Sequence, residues 1–238
     1  QLGGITASNS ESTVSGMRFL SCKVGVECIN ASATHIEEND FFQCSNSGVR
    51  ISGPAQVDAG DSWVRNNFFL NHSELVGIGT NINHISGGGW KIVSNKGLTS
   101  QYGYLLNAVF GDHVSSSYLV HDNSFEGMTV APIALCNTST TEGTLLNVKI
   151  SYNQLAAAPG AVAGIWIAAS AARKWISKIG ITGNVINNVS SGSGINMDGA
   201  KTLLVSGNVI GENGTPGGYG IAIGANSSDG LITGNVIT

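Results

Sequence analysis

The sequence is short of charge. Asp, Glu, Lys and Arg together make up 11% of its 238 residues, less than half the usual share. This excludes a disordered chain, which needs high charge and few apolar residues. It also argues against a helical protein with a surface rich in Glu, Lys and Arg. There is no basic run and the net charge is −4, so the clustered cations that nucleic acid requires are missing. No stretch of 18 apolar residues is present, hence no membrane-spanning helix is expected. Proline occurs 4 times and cysteine 4 times, with no CxxC pair. A zinc site or a disulfide framework is therefore not expected. Cys22, Cys28, Cys44 and Cys136 read as small buried hydrophobes.

What is present is glycine, at 33 residues, and a 42% apolar fraction. That mixture suits many short strands joined by Gly, Asn and Ser turns. The strands repeat. The frame apolar-x-x-Asn-x-apolar recurs with asparagine at 39, 67, 95, 123, 153, 184, 208 and 235, spaced by 28, 28, 28, 30, 31, 24 and 27 residues. Ile92-Asn95 carries Gly97 in its last slot, and Val14-Met17-Phe19 carries Met in place of Asn. About ten residues after each asparagine comes a second frame, Gly-apolar-x-apolar. It reads GVRI at 48–51, GIWI at 164–167, GINM at 194–197 and GIAI at 220–223. Weaker copies stand at 26–29, 76–80, 103–106 and 132–135.

Each period thus holds three very short strands whose alternate side chains point inward. No single unit buries its apolar face, but a stack of them does, which is the logic of a solenoid. The asparagine is expected at a sharp bend between two strands, itself in the left-handed conformation and hydrogen-bonded up the axis in a ladder. Phe41, Phe69 and Phe125 fall in the inward slot after it and should form a core stack. Cys22 and Cys44 share one offset and should lie one above the other, as free thiols or as a disulfide.

The pairing of GIxI with IxGNxI, from Val14 to Ile237, resembles the right-handed parallel β-helix of the pectate lyase-like superfamily. In style it is most similar to the tailspike depolymerases of bacteriophages. The fold expected is an all-β right-handed parallel β-helix of about nine coils of three short strands, one domain over residues 1–238. The last coil stops at LITGNVIT with no polar cap and the first residue is Gln1, so a piece of a longer chain is expected. The resemblance implies binding, and depolymerisation, of a bacterial capsule or O-antigen by a homotrimer in the virion tail. Two other readings stay open: a secreted polysaccharide lyase or hydrolase of the same superfamily, and a non-catalytic structural or adhesive shaft. Members of the superfamily often hold calcium in an acidic cluster. No tight group of three carboxylates is visible here, so no cofactor is expected.

Loop lengths point to where chemistry could sit. Between the inward residues of the GIxI strand and the next strand, the gap is 8 or 9 residues at 28–36, 197–205 and 223–232. It is 12 to 15 at 51–64, 80–92, 106–120, 135–150 and 167–181. Five consecutive long loops would stack into a wall, and loops longer than a fold requires tend to be functional. The wall holds Asp58, Asp61, His84, Asp112, His113, Glu142, Arg173 and Lys174. Asp58, Asp61, Asp112 and Asp198 are candidate carboxylates for hydrolysis, which needs two at a set separation, although aspartate in a turn is commonly a turn former. His113 with Asp112, near Arg173 and Lys174, is the alternative set for a lyase: a base, and cations to neutralise a uronate. The outward residue of each GIxI strand would be Glu27, Arg50, Gly79, Leu105, Ala134, Trp166, Asn196 and Ala222. Glu27 and Arg50 should form an ion pair. Trp166 beside Asn196 and Asp198 either stacks on a sugar ring or packs beneath the loop at 168–180. Glu37, Arg65 and His121 share an outward column of the second strand, read as a solvated face or a subunit contact.

Overall fold

A computed structural model of the protein describes residues 4–8, 11–53, 62–70, 79–85, 89–108, 117–137, 143–169, 174–211 and 218–238. Within them the strands form three nine-stranded sheets, every pairing parallel, and no helix. Each coil gives one strand to each sheet in turn. The first sheet holds the GIxI strands, the second the strands before the ladder asparagines, and the third the strands after them.

Alternation determines which side chains enter the core. In the first sheet Val26, Val49, Ile82, Tyr104, Ile133, Ile165, Ile195 and Ile221 lie in one register column. All but Ile221 are fully buried, each worth about 1.5–3 kcal/mol of transfer free energy for an aliphatic side chain. The glycine that opens the frame has a packing reason. The inward side chain of the third strand lies across it in the same coil: Phe41 over Gly25, Phe69 over Gly48, Phe125 over Gly103, Ile186 over Gly164. Any Cβ there would strike that side chain. Phe19, Phe41 and Phe69 stack with centroids 4.9 and 4.8 Å apart and planes within 6°. Gly97 interrupts the column before Phe125.

The asparagine ladder is complete from Asn39 to Asn235. Asn39 Oδ1 accepts the Met17 N–H at 3.0 Å, and each later Oδ1 accepts the backbone N–H of the asparagine one coil earlier at 2.9–3.1 Å. Each Nδ2 up to Asn208 donates to the next Oδ1 at 2.8–3.1 Å. Each Nδ2 also caps a second-sheet carbonyl one coil back, such as Val64 O for Asn95. The left-handed residue is not the asparagine but its predecessor: Gly16, Glu38, Asn66, Ser94, Asp122, Tyr152, Gly183, Gly207 and Gly234, with φ between 53° and 67°. The bend is made one residue early so that the asparagine can turn inward and bond. Four glycines in that column reflect the steric cost of this conformation for residues with a Cβ.

The fourth coil departs from the frame. Its first-sheet strand is Thr80–His84, not residues 76–80, so Asn83 rather than Gly79 takes the outward slot. Asn81 occupies the glycine position, and a Cβ added at Gly97 would run into its Nδ2. The coil has exchanged a small first-sheet residue and a large third-sheet residue for the reverse. Asn81 Oδ1 accepts from Ser100 Oγ at 2.7 Å.

Candidate functional site

The outer face of the first sheet carries a row of residues one rung apart, at about 4.8 Å spacing. In register order it runs Glu27, Arg50, Asn83, Leu105, Ala134, Trp166, Asn196 and Ala222. Arg50 Nη1 lies 3.4 Å from Glu27 Oε1, the ion pair expected from their spacing. Beside it Arg50 Nε and Asn83 Oδ1 are buried and unpartnered, and Asn83 is only 7% exposed. Leu105 and Ala134 are buried, and the partly buried Trp166, Tyr102 and Cys136 pack against their small apolar cluster. Trp166 therefore ends an apolar strip and stands next to the amide of Asn196.

Asp198 lies on the same face, in the column of Ala168. Asn226 Nδ2 donates to both of its carboxylate oxygens, at 3.1 and 3.3 Å, and the Asn226 N–H approaches Oδ1 at 3.4 Å. Gly224 leaves room for that carboxylate, since a Cβ there would collide with it. Asp198 thus ties two coils together.

Four of the expected catalytic residues, Asp58, Asp61, Asp112 and His113, lie outside the described residues, as do Arg173 and Glu142. Lys174 is not in a loop: it opens the strand Lys174–Thr182, paired with Gly143. In these coils part of the extra length extends the second sheet, because Gly143–Ser151 and Lys174–Thr182 are nine residues long where Lys91–Val93 is three. His84 is not in the wall either. It shares the inward column of Ile51 and Leu106, is fully buried, and its Nδ1 lies 3.0 Å from Tyr104 Oη, with Trp90 and Tyr118 around it. With the frame corrected, the gap in the fourth coil runs from His84 to Ile92 and is as short as the shortest others. Burial holds the Tyr104 hydroxyl well above its ordinary pKa.

The second sheet carries a cluster that joins Glu37 and Arg65, of the outward column expected as a solvated face or subunit contact, to His35 and Trp63. Thr13, His35, Trp63 and Lys91 form one outward column, and Ser15, Glu37, Arg65 and Val93 the next. The His35 and Trp63 rings stack at 3.5 Å with planes 7° apart. Glu37 Oε2 accepts from Trp63 Nε1 at 3.0 Å and from Arg65 Nε at 2.6 Å, and Arg65 Cζ lies 4.5 Å from the indole centroid. Those two hydrogen bonds hold the Glu37 carboxyl below its ordinary pKa. The signal was available: His35 and Trp63 both stand four residues before a ladder asparagine, and Glu37 and Arg65 two before.

All four cysteines are free thiols, and Cys22, Cys28 and Cys44 are buried. Burial, reinforced by Glu27, pushes Cys28 up to about 12; burial and the adjoining Cys22 push Cys44 up to about 12; burial pushes Cys136 up to about 11. A raised pKa in the folded state means the stability contribution is intact below the unfolded thiol's value near 9 and is lost as pH rises toward 12. Cys28 and Cys44 are each expected to cost roughly 1.4 kcal/mol per pH unit across that window. Urea denaturation between pH 8 and 11 reads the slope, and a Cys28→Ala, Cys44→Ala variant should flatten it. An unchanged slope would refute the assignment.

A fold of three stacked parallel sheets with a corner asparagine ladder defines a class, and the sequence carries its signature. Residues 3–177 match the family model described as a right-handed beta helix region. The chain belongs to the right-handed β-helix family. No curated protein matches it in sequence. Solved structures of similar fold include PfbA, a surface adhesin of Streptococcus pneumoniae, at 18% identity and TM-score 0.65, over 99% of this chain and 61% of that one. The Dettilon tailspike protein is similar at 14% identity and TM-score 0.57, over 98% of this chain and 54% of that one. A double mutant of the tailspike protein of E. coli bacteriophage HK620, in complex with a pentasaccharide, is similar at 15% identity and TM-score 0.58, over 94% and 44%. The likeness is one of fold, and the chain spans 44% to 61% of the length of these structures.

Proposed function

We propose that the protein binds a bacterial surface polysaccharide, capsule or O-antigen, along the outer face of its first sheet, and depolymerises it. The observation that carries this is the unbroken row from Glu27 to Asn196, roughly 29 Å long at the spacing of β-strands. A strip of this shape suits an extended polymer better than a compact metabolite. Trp166 supplies a flat apolar surface with the Asn196 amide beside it. Arg50 Nε and Asn83 Oδ1 are a donor and an acceptor that the protein leaves unused. Aromatic surface with a few placed polar groups is how small sites gain both affinity and orientation. The tailspike likeness, one structure of which holds a pentasaccharide, supports the reading.

Cleavage is assigned in this proposal to the loop carboxylates Asp58, Asp61 and Asp112, as acid and base or nucleophile for hydrolysis. In a lyase His113 would take the proton, with Arg173 and Lys174 facing the uronate. Asp198, engaged by Asn226, positions the face rather than moving a proton. That engagement favours a second reading, in which the face binds without cutting, as in an adhesive shaft. The proposal includes a homotrimer on a virion or cell surface and requires no cofactor.

The test incubates the protein with capsular and O-antigen polysaccharides and follows polymer size. Shortening is expected, and mass spectrometry of the products separates a lyase, which leaves an unsaturated end, from a hydrolase. Trp166→Ala is expected to weaken binding at least tenfold. Asp58→Asn or Asp112→Asn should lower cleavage at least a hundredfold with binding retained. Binding without shortening would leave the adhesive reading. Binding unaffected by Trp166→Ala would overturn the placement on this face.

A further inference from the structure

The His35–Trp63 stack adjoins a cavity of about 500 Å³ lined by Glu11, Ser12, Thr13, Ala33, His35 and Trp63, a volume within the 300–1,000 Å³ or so of small-ligand sites. Its form follows from the register. The coil carrying Thr13 presents short side chains to the outside, and the next two present rings at the same column. The result is a step with Thr13 as its floor and the stacked rings as its wall. The wall is braced, because Glu37 holds Trp63 Nε1 and Arg65 together from the adjoining column. Two rings locked in one orientation lose little freedom when a ligand arrives.

We propose that this step is a second carbohydrate subsite, specific for a neutral sugar unit and independent of the first-sheet face. The face of His35 turned away from Trp63 meets the C–H face of a pyranose, and the outward Thr13 sits where its hydroxyls fall. Charge decides the class of sugar. Glu37 is neutralised by Arg65 at 2.6 Å. Glu11 is exposed and in no ion pair among the described residues, which sets a carboxylate at the edge of the step. An acidic sugar would be repelled there and a neutral one accepted. The site lies on the second sheet near its first strands, whereas Trp166 lies on the first sheet four coils beyond Trp63. One polymer chain, or two, could be held at both.

The experiment titrates the protein with neutral trisaccharides (maltotriose, galactotriose and chitotriose) and with trigalacturonic acid, read by saturation-transfer NMR. At least one neutral trisaccharide is expected to bind. Trp63→Ala and, from the floor, Thr13→Arg should each weaken it at least tenfold, with circular dichroism unchanged. Trp166→Ala should leave this binding within twofold, which separates the subsite from the first-sheet reading. Trigalacturonic acid should bind at least fivefold more weakly than the best neutral ligand, and Glu11→Gln should narrow that gap at least threefold. The proposal is overturned if no neutral trisaccharide binds, if Trp63→Ala and Thr13→Arg are both silent, or if the acidic trisaccharide binds better.

Discussion

Replacing Asn123 by alanine is expected to destabilise the protein by roughly 3–5 kcal/mol, because each buried polar group left unpartnered costs about 1–3 kcal/mol. Asn123 Oδ1 accepts the backbone N–H and the side-chain Nδ2 of Asn95, both at 3.0 Å. Its own Nδ2 donates to Ile92 O, His121 O and Asn153 Oδ1. Asn123 is 1% exposed, so water cannot replace what alanine removes. The Asn95 N–H and the Ile92 carbonyl would be stranded in the core. Asn123→Asp keeps acceptors but cannot donate when ionised, and it would set a charge beside Asn153 Oδ1, so it should cost at least as much. Asn235→Ala, at a partly exposed rung, should cost less than half of the Asn123→Ala value. Urea denaturation with a constant m-value measures all three. A loss below about 1 kcal/mol at Asn123 would mean that the ladder is decoration on a core that stands without it.

The second large effect is a coupling. Gly97→Phe alone should destabilise by roughly 1–3 kcal/mol, the usual cost of overpacking, since Asn81 fills most of that space and the edge of the Phe125 ring, which would have to turn aside, the rest. Asn81→Gly alone leaves a void and strands the Ser100 hydroxyl, which now donates to Asn81 Oδ1. The two together restore the arrangement of the neighbouring coils, where a ring lies across a glycine. The new ring would stand between Phe69 and Phe125 and make their column continuous. The double variant is therefore expected to recover most of the loss, with a coupling energy of about 2–3 kcal/mol in a double-mutant cycle. Additive losses would show that the two positions do not share one space.

Much of this architecture was legible in the primary structure, for a physical reason. A solenoid contact is set by the repeat. Once Asn184, Asn208 and Asn235 give the register, the partner of any residue is found by adding one period. The Glu27–Arg50 pair, the neighbours Trp166 and Asn196, the Phe41–Phe69 stack and the adjacency of Cys22 and Cys44 all follow from local periodicity, and each is present; that the two cysteines are free thiols came from the folded chain. So is the parallel order of the three sheets.

Three things could be decided only by the folded chain. The frame fails in the fourth coil because Asn81 and Gly97, sixteen residues apart, compensate each other in one volume. No local pattern reports a volume shared across a coil, so the repeat alone points to a strand at 76–80 and a surface loop at His84, where the chain has the strand Thr80–His84 and a buried histidine. The engagement of Asp198 depends on the turn at Asn226, 28 residues later, which the period locates but whose conformation it does not give. The His35–Trp63–Glu37–Arg65 cluster needs the rotamers of four side chains to agree. Backbone register is inherited from the repeat; packing and side-chain engagement are settled by the neighbours each residue meets in space, and the two candidate binding faces belong to that second kind.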